Sequence, residues 1–108
     1  ISMGDAPDKP DPTGLIYLSK KLIGDKLGLS NIPIAYVGDT IADIKTVLNA
    51  RKKIPSQKFI SIGIAPPHLH LQSRLKERSA YEENLQKAGA QLILNSISDI
   101  KNINFELF

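Results

Sequence analysis

The sequence predicts an α/β fold: a parallel sheet with helices on both faces, in three layers. Three observations predict it. Short apolar runs at residues 34–37, 59–64 and 91–94 alternate with segments whose apolar residues recur at helical spacing. Strands alternating with amphipathic helices call for right-handed crossovers, which make neighbouring strands parallel. A length of 108 residues, with 42% hydrophobic and 23% charged side chains, suits one ordinary globular core and one domain.

Residues 1–12 hold Gly4, Pro7, Pro10 and Pro12 among Asp5, Asp8 and Asp11, a density of breakers that reads as loop. From Thr13 the residues Ile16, Tyr17, Leu18, Leu22, Ile23 and Leu27 keep a helical period, and Gly28 stands where a C-terminal glycine would end it. Ile34 to Val37, bounded by Pro33 and Gly38, reads as a buried first strand. Ile41, Ile44, Val47 and Leu48 resume the helical period until Arg51, Lys52 and Lys53 supply cations at its C-terminal end. Residues 59–64 form the second strand. Pro66 and Pro67 force a loop, then Leu71, Leu75, Tyr81, Leu85 and Ala88 mark a third helix closing at Gly89. Residues 91–94 are the third strand, and Ser96 or Ser98 caps a brief helical turn around Ile100.

The composition excludes a disordered chain, a collagen-like repeat and an acidic tail. Without cysteine there are no disulfides, thiolate metal sites or cysteine nucleophiles. No stretch approaches the ~20 apolar residues needed to cross a bilayer, so the expected setting is cytoplasmic, with no membrane partner. The net charge of +3 is a mild field. Basic residues fall in clusters (Lys20 and Lys21, residues 51–53, residues 74–78) inside or beside helical patterns, which reads as solvated helix faces. Tyr17, Tyr36 and Tyr81 are scattered, with no aromatic platform among the cations, so nucleic acid is not an expected partner. His68 and His70 have no third ligand nearby and read as loop or capping histidines, not as a zinc site.

The densest chemical signal is residues 36–44, which contain Gly38, Asp39, Thr40 and Asp43. In open α/β sheets ligands bind outside the carboxyl ends of strands, where Asp39 stands between a strand and a helix. Gly38 lets the backbone turn sharply or a ligand approach. Asp39 and Asp43, four residues apart, can face one point above the sheet. Two converging carboxylates repel unless a cation intervenes, and Mg²⁺ suits such a pair because it keeps waters for a substrate phosphate. Thr40 can cap the helix or bond a neighbouring carboxylate. Equally, Asp is a common N-cap, and a second Asp in the first turn complements the helix dipole with no metal at all. The segment Lys9-Pro10-Asp11-Pro12 supplies a second signal: a lysine held on a proline-stiffened loop, with Asp11 able to cap the next helix.

In this order and context the two motifs resemble the haloacid dehalogenase (HAD) superfamily, within it the phosphoglycolate-phosphatase-like branch and a subgroup of cyanobacterial type. The resemblance runs over essentially the whole chain, down to residues 87–90 at the end of the third helix and the strand that follows, and it implies a Rossmann-like core. It implies that Lys9 orients the nucleophile and steadies the phosphoryl group, that Asp39 is a Mg²⁺ ligand, and that Asp43 is an accessory acid holding the ion directly or through water. Gly38 and Thr40 would support them.

Two departures qualify this. The family's nucleophile comes from an Asp-x-Asp motif that is absent here, since Asp5, Asp8 and Asp11 are three apart in the wrong context. The family's phosphate-binding Ser or Thr and its cap domain are also missing, and all of these precede the lysine in family order. Residues 1–108, which begin at Ile1 and not Met, are therefore expected to be the C-terminal part of a HAD-like core with an upstream portion missing. A basic connection from Arg51 to Lys58 replaces the usual small-residue helix end, and would alter the site rim or make a contact surface. The expected function is the C-terminal core segment of a Mg²⁺-dependent phosphatase of small phosphorylated metabolites, inactive without the upstream nucleophile segment, whether that is covalent or a separate chain. The alternative is a HAD remnant without catalysis, serving as a binding or assembly module. A half-core leaves a sheet edge short of partners, which favours association, including homo-oligomers.

Overall fold

Three parallel strands in the order β1-β2-β3 form the sheet of this computed structural model, which describes residues 9–29 and 31–108. Helix α1 (Thr13–Ile23) precedes β1 (Ile34–Gly38); α2 (Ile41–Lys53) connects it to β2 (Phe59–Ile64), and α3 (Leu75–Ala88) leads to β3 (Leu92–Leu94). A 3₁₀ turn at Ile97–Asn102 and another at Phe105–Leu107 complete the chain. The α/β class with a parallel sheet is as expected. Asp5, Asp8 and most of the N-terminal loop reading lie outside the described residues.

Central β2 is buried from Phe59 to Gly63, so both of its faces are apolar and its sequence runs without polar alternation apart from Ser61. On one face Ile34 and Phe59 pack with Leu15 of α1 and with Val47 and Ala50 of α2. Leu85 of α3 lies over Gly63 on that same face, so close that a Cβ there would sit 3.1 Å from its Cδ1. On the other face Ile60, Ile62 and Leu94 pack with Ile100, Ile103, Phe105 and Phe108 of the C-terminal turns. Burying Ile60 and Ile62 contributes about 1.5–3 kcal/mol each.

The expected α-helical cover on both faces is therefore realised differently among the described residues. The three α-helices share one face, and 3₁₀ turns cover β2 and β3 on the other. The first strand is barer: Ala35, on the turn-covered side, is exposed, and among the described residues β1 pairs only with β2.

Two helix boundaries also differ from expectation. Helix α1 ends at Gly24 (φ 57°), not at Gly28. Leu27 keeps the apolar spacing because it still packs on the α1–α2 cluster after the chain has left the helix. The third helix starts at Leu75, because residues beyond Pro66 and Pro67 first form 3₁₀ turns at Pro67–Leu69 and Gln72–Arg74. Leu71 and Leu75 are both exposed and never belonged to a core stripe. Buried Gln57 joins the entrances of β1 and β2: its Oε1 accepts from Gly28 N, and its Nε2 donates to the carbonyls of Ile32 and Lys58.

Candidate active site

At the carboxyl end of β1 the chain turns through Gly38, Asp39 and Thr40 into α2. Thr40 is extended (φ −126°, ψ 158°) and is the N-cap. Its hydroxyl accepts from Asp43 N at 3.1 Å and donates to Asp43 Oδ2 at 2.9 Å, so it both caps the helix and bonds the neighbouring carboxylate. Asp43 Oδ2 returns the contact by accepting from Thr40 N at 3.2 Å, closing a capping box. It also accepts from Asp39 N at 3.1 Å.

Gly38 serves a different purpose from the one its sequence position suggested. A Cβ at Gly38 would lie 2.2 Å from Asp43 Cβ and 2.8 Å from Oδ2. The missing side chain makes room for Asp43, which is only 4% exposed.

Lys9 reaches this carboxylate from the other side. Its Nζ lies 2.5 Å from Asp43 Oδ1 and 5.9 Å from the centre of the Tyr36 ring. Tyr36 donates its hydroxyl to the same Oδ1 at 3.3 Å. The loop bearing Lys9 is tied to α2 by Asn49, whose Nδ2 donates to Pro10 O at 2.9 Å. Asp11 Oδ1 accepts from Thr13 N at 2.9 Å, which fixes the start of α1 beside that loop. Lys9 and Asp43, 34 positions apart in sequence, thus meet in one ion pair above the sheet.

Asp39 is the uncommitted acid. It is half-buried, and among the described residues no hydrogen bond or ion pair engages its carboxylate. Its position is held through its backbone: its N–H donates to Asp43, and its carbonyl accepts from the Tyr81 hydroxyl of α3.

The electrostatics follow from these contacts. Burial alone would push the Asp43 carboxyl up, but the Lys9 ammonium, the Thr40 hydroxyl and the Thr40 amide outweigh it and hold the group below its ordinary value. Hydrogen bonding to Asp43 raises Lys9 against an opposing effect of burial. Tyr81 is raised by burial and then by the negative charges of Asp39 and Asp43.

This donor chemistry fits Mg²⁺ unevenly. Asp39 offers a free carboxylate of the hard-oxygen kind that Mg²⁺ takes. Both oxygens of Asp43 already accept bonds, so Asp43 suits an outer role, through water or through Lys9. Among the described residues no three His, Asp or Glu side chains gather to hold a metal without further ligands. His70 Nε2 donates to Ala65 O at 2.6 Å, and His68 is exposed in the loop.

Sequence reasoning missed Tyr36, Asn49 and Tyr81, having read the tyrosines as scattered. Tyr36 carries a faint local signal, two positions before Gly38 in the strand. Tyr81 has none, since 42 positions separate it from Asp39. The basic connection from Arg51 to Lys58 is not part of this site's rim: it leads into the amino end of β2, the opposite end of the sheet from Asp39.

No family model matches the chain, and no curated protein or solved structure does. Among the described residues no helix is long and apolar enough to cross a membrane.

Proposed function

We propose that the chain is the C-terminal part of a HAD-like catalytic core that hydrolyses a small phosphorylated metabolite with Mg²⁺. The observation that carries this reading is the Lys9–Asp43 pair at the carboxyl end of β1, beside the free carboxylate of Asp39. Phosphoryl transfer needs an in-line nucleophile and positive charge on the non-bridging oxygens. The Lys9 side chain is 41% exposed even in its pair, so its remaining N–H groups can meet a phosphoryl oxygen. Asp43 orients that ammonium, and the Thr40 hydroxyl and amide, with Lys9 itself, keep Asp43 ionised for the purpose. Asp39 is the residue to hold Mg²⁺, which when bound supplies further positive charge against the phosphate. The nucleophile would come from an upstream core segment, covalent or separate, placed beside the edge of β1 that is unpaired among the described residues.

The test is hydrolysis of a generic aryl phosphate by the 108-residue chain with and without such a segment. The chain alone is expected to be inactive, addition of the segment to restore turnover, and Asp39→Asn to abolish it. Turnover by the chain alone that Asp39→Asn removes would overturn the division of labour. The exposed Ala35 and the pairing of β1 with β2 alone among the described residues also favour a second reading, a non-catalytic binding or assembly module. A stable oligomer that stays inert with the segment present would support the module over the enzyme.

A further inference from the structure

We infer that the chain carries a second, separate site at the amino ends of its strands, which binds a small oxyanion through Arg51, Lys58 and Gln91. A cleft of about 430 Å³ opens there, within the size range of small-molecule sites, and Pro55 and Phe108 flank it with apolar surface. Among the described residues that line it, none is acidic.

Arg51 is the centre of the site. Its Nε donates to Phe59 O at 2.8 Å, which fixes the guanidinium at the entrance of β2. Its Nη2 is buried and has no hydrogen-bond partner among the described residues. A buried guanidinium nitrogen with nothing to accept its protons is unfavourable, and an anionic oxygen is the group that offsets this best. Burial lowers the Arg51 pKa, and no neighbouring negative charge acts against that.

Gln91 points its chemistry the same way. Its Oε1 must face Ser61 N, a donor 3.1 Å away, so its Nε2 is left as a donor with no partner among the described residues. Lys58 lines the cleft and has no ion pair among the described residues. Gln57, which also lines it, has its side-chain amide fully engaged elsewhere and shapes the wall without binding. The buried, unpartnered Arg51 nitrogen, with half-buried Lys58 and exposed Gln91 lining the same cleft, favours an acceptor-only group: a carboxylate or a phosphate. The site is independent of Lys9 and Asp39. Phe59 pairs with Ile34 and Gly63 with Gly38, so roughly 13 Å of strand separates the two ends.

The test is an NMR titration of the 108-residue chain, once with inorganic phosphate and once with 3-phenylpropionate. Saturable shifts are expected at the Gln91 side-chain amide, the Arg51 Nε–H and the Phe59 amide. The probe that produces them tells a phosphate site from a carboxylate site. Arg51→Met should weaken binding about tenfold or more, the usual loss when a charged hydrogen-bond partner is removed. Gln91→Glu should do the same while keeping the oxygen that accepts from Ser61 N, so that it tests the site even where Arg51→Met fails to fold. Absence of saturable shifts with both probes would overturn the inference. So would binding unchanged in Gln91→Glu, or shifts confined to the amides of Asp39 and Thr40.

Discussion

The two ends of α2 treat buried charge in opposite ways. At the amino end, Asp43 is 4% exposed, and its oxygens accept from two backbone amides, two hydroxyls and an ammonium. At the carboxyl end, among the described residues, Arg51 makes one bond to a backbone carbonyl and buries a nitrogen with none. The first arrangement fixes geometry: every partner is supplied by the chain, so the carboxylate has little left for a ligand. The second leaves a deficit that something outside the chain can fill. A saturated group is thus a positioning group, and its neighbours Lys9 and Asp39 are the less engaged ones.

The largest test of this contrast is Gly38→Ala. A Cβ 2.2 Å from Asp43 Cβ cannot be accommodated by a flexible side-chain tip, so either the strand end or the helix start must move. A loss of about 3 kcal/mol or more is expected in urea denaturation. Asp43→Asn should follow at about 2 kcal/mol, since it leaves Lys9 without its counter-charge and reverses part of the capping network.

The same pair sets a pH dependence. The Asp43 carboxyl lies below its ordinary 3.8 in the folded chain, so its stabilisation is present above that value and is lost as pH falls through the folded pKa. Lys9 lies above its ordinary 10.5, so the same contact persists below that value and fades as pH rises through the folded pKa. The stability difference between the native chain and Asp43→Asn should accordingly be flat across neutral pH and shrink at both extremes.

Arg51→Met should be much milder, within about 1 kcal/mol, because it removes one hydrogen bond together with an unsatisfied donor. A loss as large as that of Asp43→Asn would erase the contrast between the two ends. Smallest is Ser61→Ala: the Ser61 hydroxyl is buried without a partner among the described residues, so its removal should leave stability within about 0.5 kcal/mol or raise it slightly.

Central elements were the most legible in sequence. Residues 59–64 read to the residue because a strand buried on both faces must be apolar throughout, and α2 because Thr40 and Asp43 signal its start and three cations its end. The end of α1 and the start of α3 were hidden for the same physical reason. Apolar residues continue at helical spacing through turns, in one case because Leu27 still packs and in the other although Leu71 does not. The face on which each helix lies was also illegible, because spacing reports an amphipathic face without saying which side of the sheet it meets.

At the site, Asp39 and Asp43 share one short segment, and a loop lysine in a proline-stiffened context was visible too. How completely Asp43 is engaged was not, since that depends on a lysine and a tyrosine reaching it from separate elements. Nor did the basic run that closes α2 announce which end of the sheet it serves. Only the strand register decides that.

Gln57 has a consequence for cooperativity. One side-chain amide bonds Gly28, Ile32 and Lys58, so the connection after α1 cannot fray without also releasing the start of β2. In hydrogen exchange the Gly28 amide should be as slow as those of the central strand, although it sits in a glycine turn between elements. A loop held in this way behaves as part of the sheet's folding unit.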